Sequence, residues 1–298
     1  MLRNLLMLAL ALGVLPAQAA LSVFASVPEW AALAQEIGGD KVKVFAATHG
    51  LQDPHRIDAK PSLIARARSA DLVVATGADL EAGWLPLVLR ESGNAAVQPG
   101  TPGYFEAAGF VRMLEVPTRV DRADGDVHAA GNPHIQTDPR NFLKVGAALA
   151  ERMATLDAAN AAAYQAGYAR FTDKWRAQLA RWESAAAQLR GVPVVVQHKS
   201  FAYLFDWLGL REVATLEPKP GIEVSAAHVA RVIAQTATAK PRMVLSAAYD
   251  SPRAAAGFAQ QTGVPLVVLP FTIGGNEQSR DLTGLFDDTV GRLVQAIK

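Results

Sequence analysis

Asn160-Ala-Ala-Ala-Tyr164-Gln-Ala-Gly167-Tyr-Ala-Arg-Phe171-Thr-Asp-Lys-Trp175-Arg-Ala-Gln-Leu-Ala-Arg-Trp182-Glu-Ser-Ala-Ala-Ala-Gln-Leu-Arg190 is the stretch that organises this chain. It has no proline, a single glycine at Gly167, and abundant Ala, Arg, Gln and Leu. Such residues lose little on entering a helix, so the run reads as one helix of about 46 Å at 1.5 Å per residue. That is long for one globular domain, and an uninterrupted helix is a stiff strut. Gly191-Val192-Pro193 ends it.

Working outward, each flank alternates apolar strand-like runs with helical patterns. Before the strut, strands are expected at 21–26, 41–47 and 71–77, with helices at 29–37, 61–68 and about 80–90. A loop-rich stretch follows from 91 to 138, and Asp138-Pro139 then opens a helix. After the strut, strands are expected at 194–197, 212–216, 243–246 and 266–269. Helices are expected at 200–208, from a Ser225 cap through 236, at 253–262 and at 282–297. This alternation implies an α/β fold with mostly parallel sheets covered by helices. The architecture expected is two α/β lobes joined by one long rigid helix. The lobes are assigned to 20–155 and 191–298, with the linking helix at 156–190.

Residues 1–19 read as a secretory signal peptide: Arg3 is basic, 5–15 are apolar, and Ala17-Gln18-Ala19 offers a small-x-small cleavage site. The apolar stretch is shorter than the ~20 residues of a spanning helix. The chain has no cysteine, which excludes disulfides, thiolate ligands and a lipid-modified cysteine. An exported chain without a lipid anchor suggests a bacterial periplasm, and we expect it to act there as a monomer. Without Arg3 there are 28 basic and 28 acidic residues, a neutrality that argues against nucleic acid or an anionic membrane surface as partner.

Three of the six histidines occupy similar polar turns: His55 in Asp53-Pro54-His55, His134 in Asn132-Pro133-His134, and His198 after Val194-Val-Val-Gln197. Pro54 stiffens the turn that presents His55. His198 ends an apolar strand, where α/β folds put functional groups. Neutral imidazole is the commonest protein ligand for zinc, and ligands on separate loops can meet in one cleft. Each also has a bland reading, as an exposed loop or buried structural histidine. His49 is a possible second-layer partner. His128, with Asp121, Asp124 and Asp126, reads either as a solvated loop or as a weak metal-collecting one. His228, on a helix, reads as structural.

Taken in order, these pieces resemble the zinc and manganese solute-binding proteins of bacterial ABC transporters. The resemblance is carried by Asp53-Pro54-His55, Asn132-Pro133-His134, the long helix, His198-Lys-Ser-Phe-Ala-Tyr203 with Leu208-Gly209-Leu210, and Pro220-Gly221-Ile222-Glu223 with Ser225. It implies a metal held between two lobes by His55 and His134 from the first and His198 from the second, for delivery to a membrane permease. Manganese-preferring members often carry a carboxylate at the third position, so His198 favours Zn2+ over Mn2+. The family's usual fourth ligand is an aspartate in the turn after the last strand. Here that turn is Leu269-Pro-Phe271-Thr-Ile-Gly274-Gly275, with no acid. Zinc in a closed site wants four ligands. Asp281 is favoured for the fourth, with Glu277, Asp250, His49 or water as alternatives; the rival role of Asp281 is to cap the helix that follows.

Two other functions compete with transport. A three-histidine zinc hydrolase would need a base beside the metal, and there is no His-Glu-x-x-His helix. We therefore expect no enzyme. A binder of small organic ligands would need cleft aromatics and arginines, whereas Trp175, Trp182, Phe205 and Trp207 fall on helices expected to face the core.

Overall fold

A computed structural model describes residues 19–119, 128–219 and 221–298. The signal-peptide reading, apart from Ala19, and the acids Asp121, Asp124 and Asp126 lie outside the described residues. In the first lobe, β1 (Leu21–Ala25), β2 (Val42–Ala46), β3 (Leu72–Ala75) and β4 (Tyr104–Glu106) form a parallel sheet in the order β2-β1-β3-β4. Its helices are α1 (Pro28–Gly38), α2 (Pro61–Arg68), α3 (Leu85–Ser92) and α4 (Asn141–Leu156). Prolines stand in the first turns of α1, α2 and α3, where a missing amide costs nothing. The strut is α5 (Ala161–Ala186). The second lobe repeats the plan, with α6 (Ala202–Leu208), α7 (Ala226–Thr236), α8 (Arg253–Thr262) and α9 (Leu282–Ala296). Its strands β5 (Pro193–Val196), β6 (Arg211–Thr215), β7 (Met243–Ala247) and β8 (Leu266–Leu269) run parallel in the order β6-β5-β7-β8.

Three details differ from the sequence reading. The strand β4 lies in the stretch read as loop. It has only three residues and follows a Pro-Gly-rich run, so no alternation could develop. Helix α3 starts at Leu85 rather than near 80. The Glu81 carboxylate accepts the amides of Thr76 (2.8 Å) and Gly77 (3.1 Å), and Ala78 and Asp79 take positive φ. Those bonds hold the chain in a turn before the helix can begin. The strut is regular over 26 residues and continues at each end as a single 3-10 turn, Ala158–Asn160 and Ala187–Leu189. Its start is tied by Asp157, whose Oδ2 accepts both Asn160 Nδ2 and the Tyr164 hydroxyl at 2.7 Å.

Helix α5 joins the lobes by sharing its apolar stripe between them. Phe171, Trp175, Leu179 and Trp182 recur at helical spacing and are buried. The Trp175 ring meets Phe142 of α4 (5.4 Å between centroids) on one side and Phe286 of α9 (5.7 Å) on the other. One continuous apolar cluster therefore runs through both lobes. Each large side chain buried there contributes roughly 1.5–3 kcal/mol. Gly167 is required by this packing: a Cβ there would overlap the carbonyl of Ile37 at the end of α1.

Away from α5 the lobes meet again behind the cleft. Buried Glu29 of α1 accepts bonds from the Thr272 hydroxyl and from the Ile273 amide (2.8 Å) in the turn after β8. Beside it, Gly50 lies against the backbone of Gly274 so closely that any Cβ at Gly50 would overlap it. On another face, Asp206 of α6 receives Arg112 (2.8 Å) and Arg140 (2.7 Å) from the first lobe.

Candidate metal centre

Every histidine singled out by its turn arrives at the interlobe cleft. After β2 the chain reaches Asp53-Pro54-His55, where the Trp84 indole donates to the Pro54 carbonyl (2.9 Å) and fixes the turn. Asp53 Oδ1 accepts both the His55 amide (3.0 Å) and its ring Nδ1–H (2.9 Å). His134 is held by Asn132, whose Oδ1 accepts the His134 amide (3.0 Å) while its Nδ2 donates across the lobes to the Lys199 carbonyl (2.8 Å). His198 follows β5, and its Nδ1–H donates to Glu217 Oε2 (2.7 Å), just past the end of β6. A carboxylate on Nδ1 fixes the tautomer and leaves Nε2 as the free lone pair, the usual arrangement behind a metal-bound histidine.

The rings gather at one point. Centroid separations are 5.1 Å for His55–His134, 6.1 Å for His55–His198 and 5.8 Å for His134–His198. A fourth ring, His128, stands 5.3 Å from His55. Imidazoles bound at about 2.0–2.1 Å to one tetrahedral ion have centroids roughly 5 Å apart. Among the described residues no trio of donors is already drawn to metal-holding geometry. The spacing is thus that of a site a little open, one that side-chain rotation can close.

Protonation differs from ring to ring. His134 is fully buried, and desolvation, reinforced by His55, His198 and His128, pushes its pKa well below 6.5. It is neutral at pH 7, and its Nδ1 has no hydrogen-bond partner. Burial of His198 works in the same direction. There the Glu217 bond and charge outweigh it, helped by Asp250 and Asp53, and the pKa is raised. Asp53 feels burial first, yet its bond to His55 holds the carboxyl below its ordinary value.

A family model described as zinc-uptake complex component A, periplasmic, matches residues 23–296. The chain belongs to this family. It is 25% identical over 241 residues to the high-affinity zinc uptake system protein ZnuA of Paracoccus denitrificans, covering 69% of this chain and 70% of that one. It is 22% identical over 202 residues to the zinc-binding lipoprotein AdcA of Streptococcus pneumoniae, covering 66% of this chain and 39% of AdcA. The chain thus spans well under half of that longer relative. A crystal structure of ZnuA superposes with a TM-score of 0.77 at 21% identity, covering 94% of this chain and all of that one. The two-lobe fold with a long helix is therefore shared.

The second lobe sends the ends of all four strands towards the cleft. His198 follows β5, Glu217 follows β6, Asp250 follows β7 and Phe271 follows β8. Phe271, at φ 57°, lies in the acid-free turn after β8, and its ring meets His134 edge-on at 5.4 Å. Asp281 is not brought to the histidines. It is exposed, it does not line the cleft, and its Oδ1 accepts the Gly284 amide (2.8 Å) as the N-cap of α9. Glu277 is exposed in the same loop. His49 is exposed too, its Nδ1 facing the Leu51 amide of its own loop. Asp250 lines the cleft with His55 and His198; burial pushes its carboxyl up to about 6, and its Oδ2 accepts the Ala247 amide (3.0 Å).

Two participants escaped the sequence reading. Glu217 could have been noticed as an acid at a strand end before Pro218, but its pairing with His198 depends on β6 lying beside β5. His128 was read as part of a solvated or loosely collecting loop. Its nearness to His55 follows from the return of the chain to Asn132, whose amide bonds the Leu114 carbonyl (2.8 Å).

Proposed function

We propose that this protein is the periplasmic ion-binding component of an ABC importer. It takes one Zn2+ between its lobes on His55, His134 and His198, with His128 as fourth donor, and passes the ion to a membrane permease. The observation that carries the reading is the pair of carboxylates, Asp53 and Glu217, each bonded to Nδ1 of a histidine from a different lobe. Both rings are thereby set to offer Nε2 to a shared cation. An all-imidazole donor set suits zinc, whereas manganese prefers oxygen ligands. His128 is favoured over Asp250 because it completes four nitrogen donors and stands beside His55.

The carboxylates also weigh against a hydrolase. A general base would have to reach a metal-bound water, and Asp53 and Glu217 are each engaged with an imidazole instead. Titration of chelator-stripped protein with Zn2+ against a competing indicator tests the proposal. The expected result is one ion per chain at nanomolar affinity or tighter, with no ester or peptide turnover. Equal affinity in His198→Ala would overturn it.

A further inference from the structure

Three strand ends of the second lobe carry polar side chains, His198, Glu217 and Asp250, and the fourth carries the ring of Phe271. The Phe271 backbone is in an unusual state. Among the described residues, Ala78, Asp79, Glu115, Lys240 and Phe271 are the non-glycine residues with positive φ, and Phe271 is the buried one. The left-handed region crowds any Cβ. A bulky residue stays there only where its surroundings impose it.

Here they impose it from both lobes. Glu29 of α1 accepts bonds from the Thr272 hydroxyl and the Ile273 amide, the two residues that follow. The Gly275 amide closes the turn on the Thr272 carbonyl at 3.0 Å. Behind the turn, the backbone of Gly274 rests against Gly50. Strain held this firmly points to a use for the side chain it aims.

That side chain is 5% exposed. Its ring meets His134 edge-on at 5.4 Å, Tyr249 at 5.0 Å and Phe201 at 6.1 Å. Tyr249 in turn lines the cleft with His55 and His198. His134 is 1% exposed, so the side of it that Phe271 covers is closed to water. A phenyl ring has no lone pair for a cation, and it fills room that a carboxylate or a water would need. Zinc is satisfied by four donors, whereas manganese seeks an octahedral shell of oxygens.

We propose that Phe271 is a specificity-determining residue, whose ring walls the His134 side of the site, keeps oxygen ligands off the ion and so selects Zn2+ over Mn2+. This rests on the metal site proposed above. It adds rejection to attraction: imidazoles alone would still admit manganese if waters could complete its shell, and the ring denies them a place.

Metal-stripped wild type, Phe271→Ala and Phe271→Leu are titrated with Zn2+ and with Mn2+, and their Co2+ forms are compared by visible absorption. Both substitutes keep a Cβ, so the backbone strain is unchanged and only the reach of the side chain differs. Wild type should give the intense cobalt bands of a tetrahedral ion. Phe271→Ala should raise the ratio of Mn2+ to Zn2+ affinity roughly tenfold or more, and should replace those bands by the weak ones of a higher-coordinate ion. Phe271→Leu refills most of the space and should return both readouts towards wild type. An unchanged ratio in Phe271→Ala, including equal weakening of both metals, would overturn the proposal and leave the zinc site standing. So would weak cobalt bands in wild type, a measurement that needs no variant. Failure of wild type to bind zinc would remove both readings.

Discussion

His134 and His198 face the same point from opposite lobes, yet their surroundings are opposites. His134 is sealed, has a bare Nδ1 and is kept neutral by desolvation. His198 is backed by a carboxylate that makes it hold its proton more tightly than a free histidine. One ring is thus ready for a cation at any ordinary pH, while the other must first give up a proton. If these rings share the proposed ion, they are unequal donors, His134 fixed as neutral and His198 titrating.

The largest expected effect comes from removing either ring. His134→Ala and His198→Ala should each lower zinc affinity by more than the 10–100-fold typical of losing a ligand's outer partner. Competition titration measures this, and a smaller loss at His134 would break the idea of a fixed half.

If desolvation keeps His134 neutral, it should also keep the buried acid Glu29 protonated. Burial raises Glu29 from 4.5 to about 7, against the bonds from Thr272 and Ile273. A carboxyl whose folded pKa is raised favours the native state below its unfolded pKa. That contribution is lost as pH rises from about 4.5 to 7 and is constant above. Glu29→Gln removes this dependence, so its stability relative to wild type should gain about 3 kcal/mol between pH 4 and pH 8. Chemical denaturation at the two pH values reads it directly; parallel curves would show that the seam does not hold a neutral acid.

Glu217→Gln sharpens the titrating half. Zinc affinity at pH 7 should fall roughly 10–100-fold. The His198 pKa, followed by NMR in the metal-free protein, should drop once burial acts without the opposing carboxylate. The smallest effect separates ligand from cap. Asp281→Ala should cost about 1 kcal/mol of stability through the lost N-cap and leave zinc affinity unchanged. A large affinity loss there would return Asp281 to the metal.

The elements were legible where local pattern decides them. Apolar runs marked seven of the eight strands, and the long alanine-rich stretch marked the strut. His55, His134 and His198 could be read because each stands in a stiff turn or at a strand end. What could not be read depends on neighbours distant in sequence. Glu217 meets His198 only because β6 pairs with β5, and Phe271 reaches His134 only because the turn after β8 folds back over the cleft. Asp281 was favoured on residue type and loop, but an acid just before a helix is drawn to that helix's free amides first.

The contact between Gly50 and Gly274 has one last consequence. Two bare peptide backbones touching at the rear leave no slack for the halves to swing apart about that point, and the shared aromatic seam along α5 adds a second rigid hinge-stop. If the proposed site holds the ion, loading and unloading are then a matter of individual rings turning in a frame of constant width. On that reading the pace of exchange should follow the turning of the imidazoles rather than any motion of the whole body.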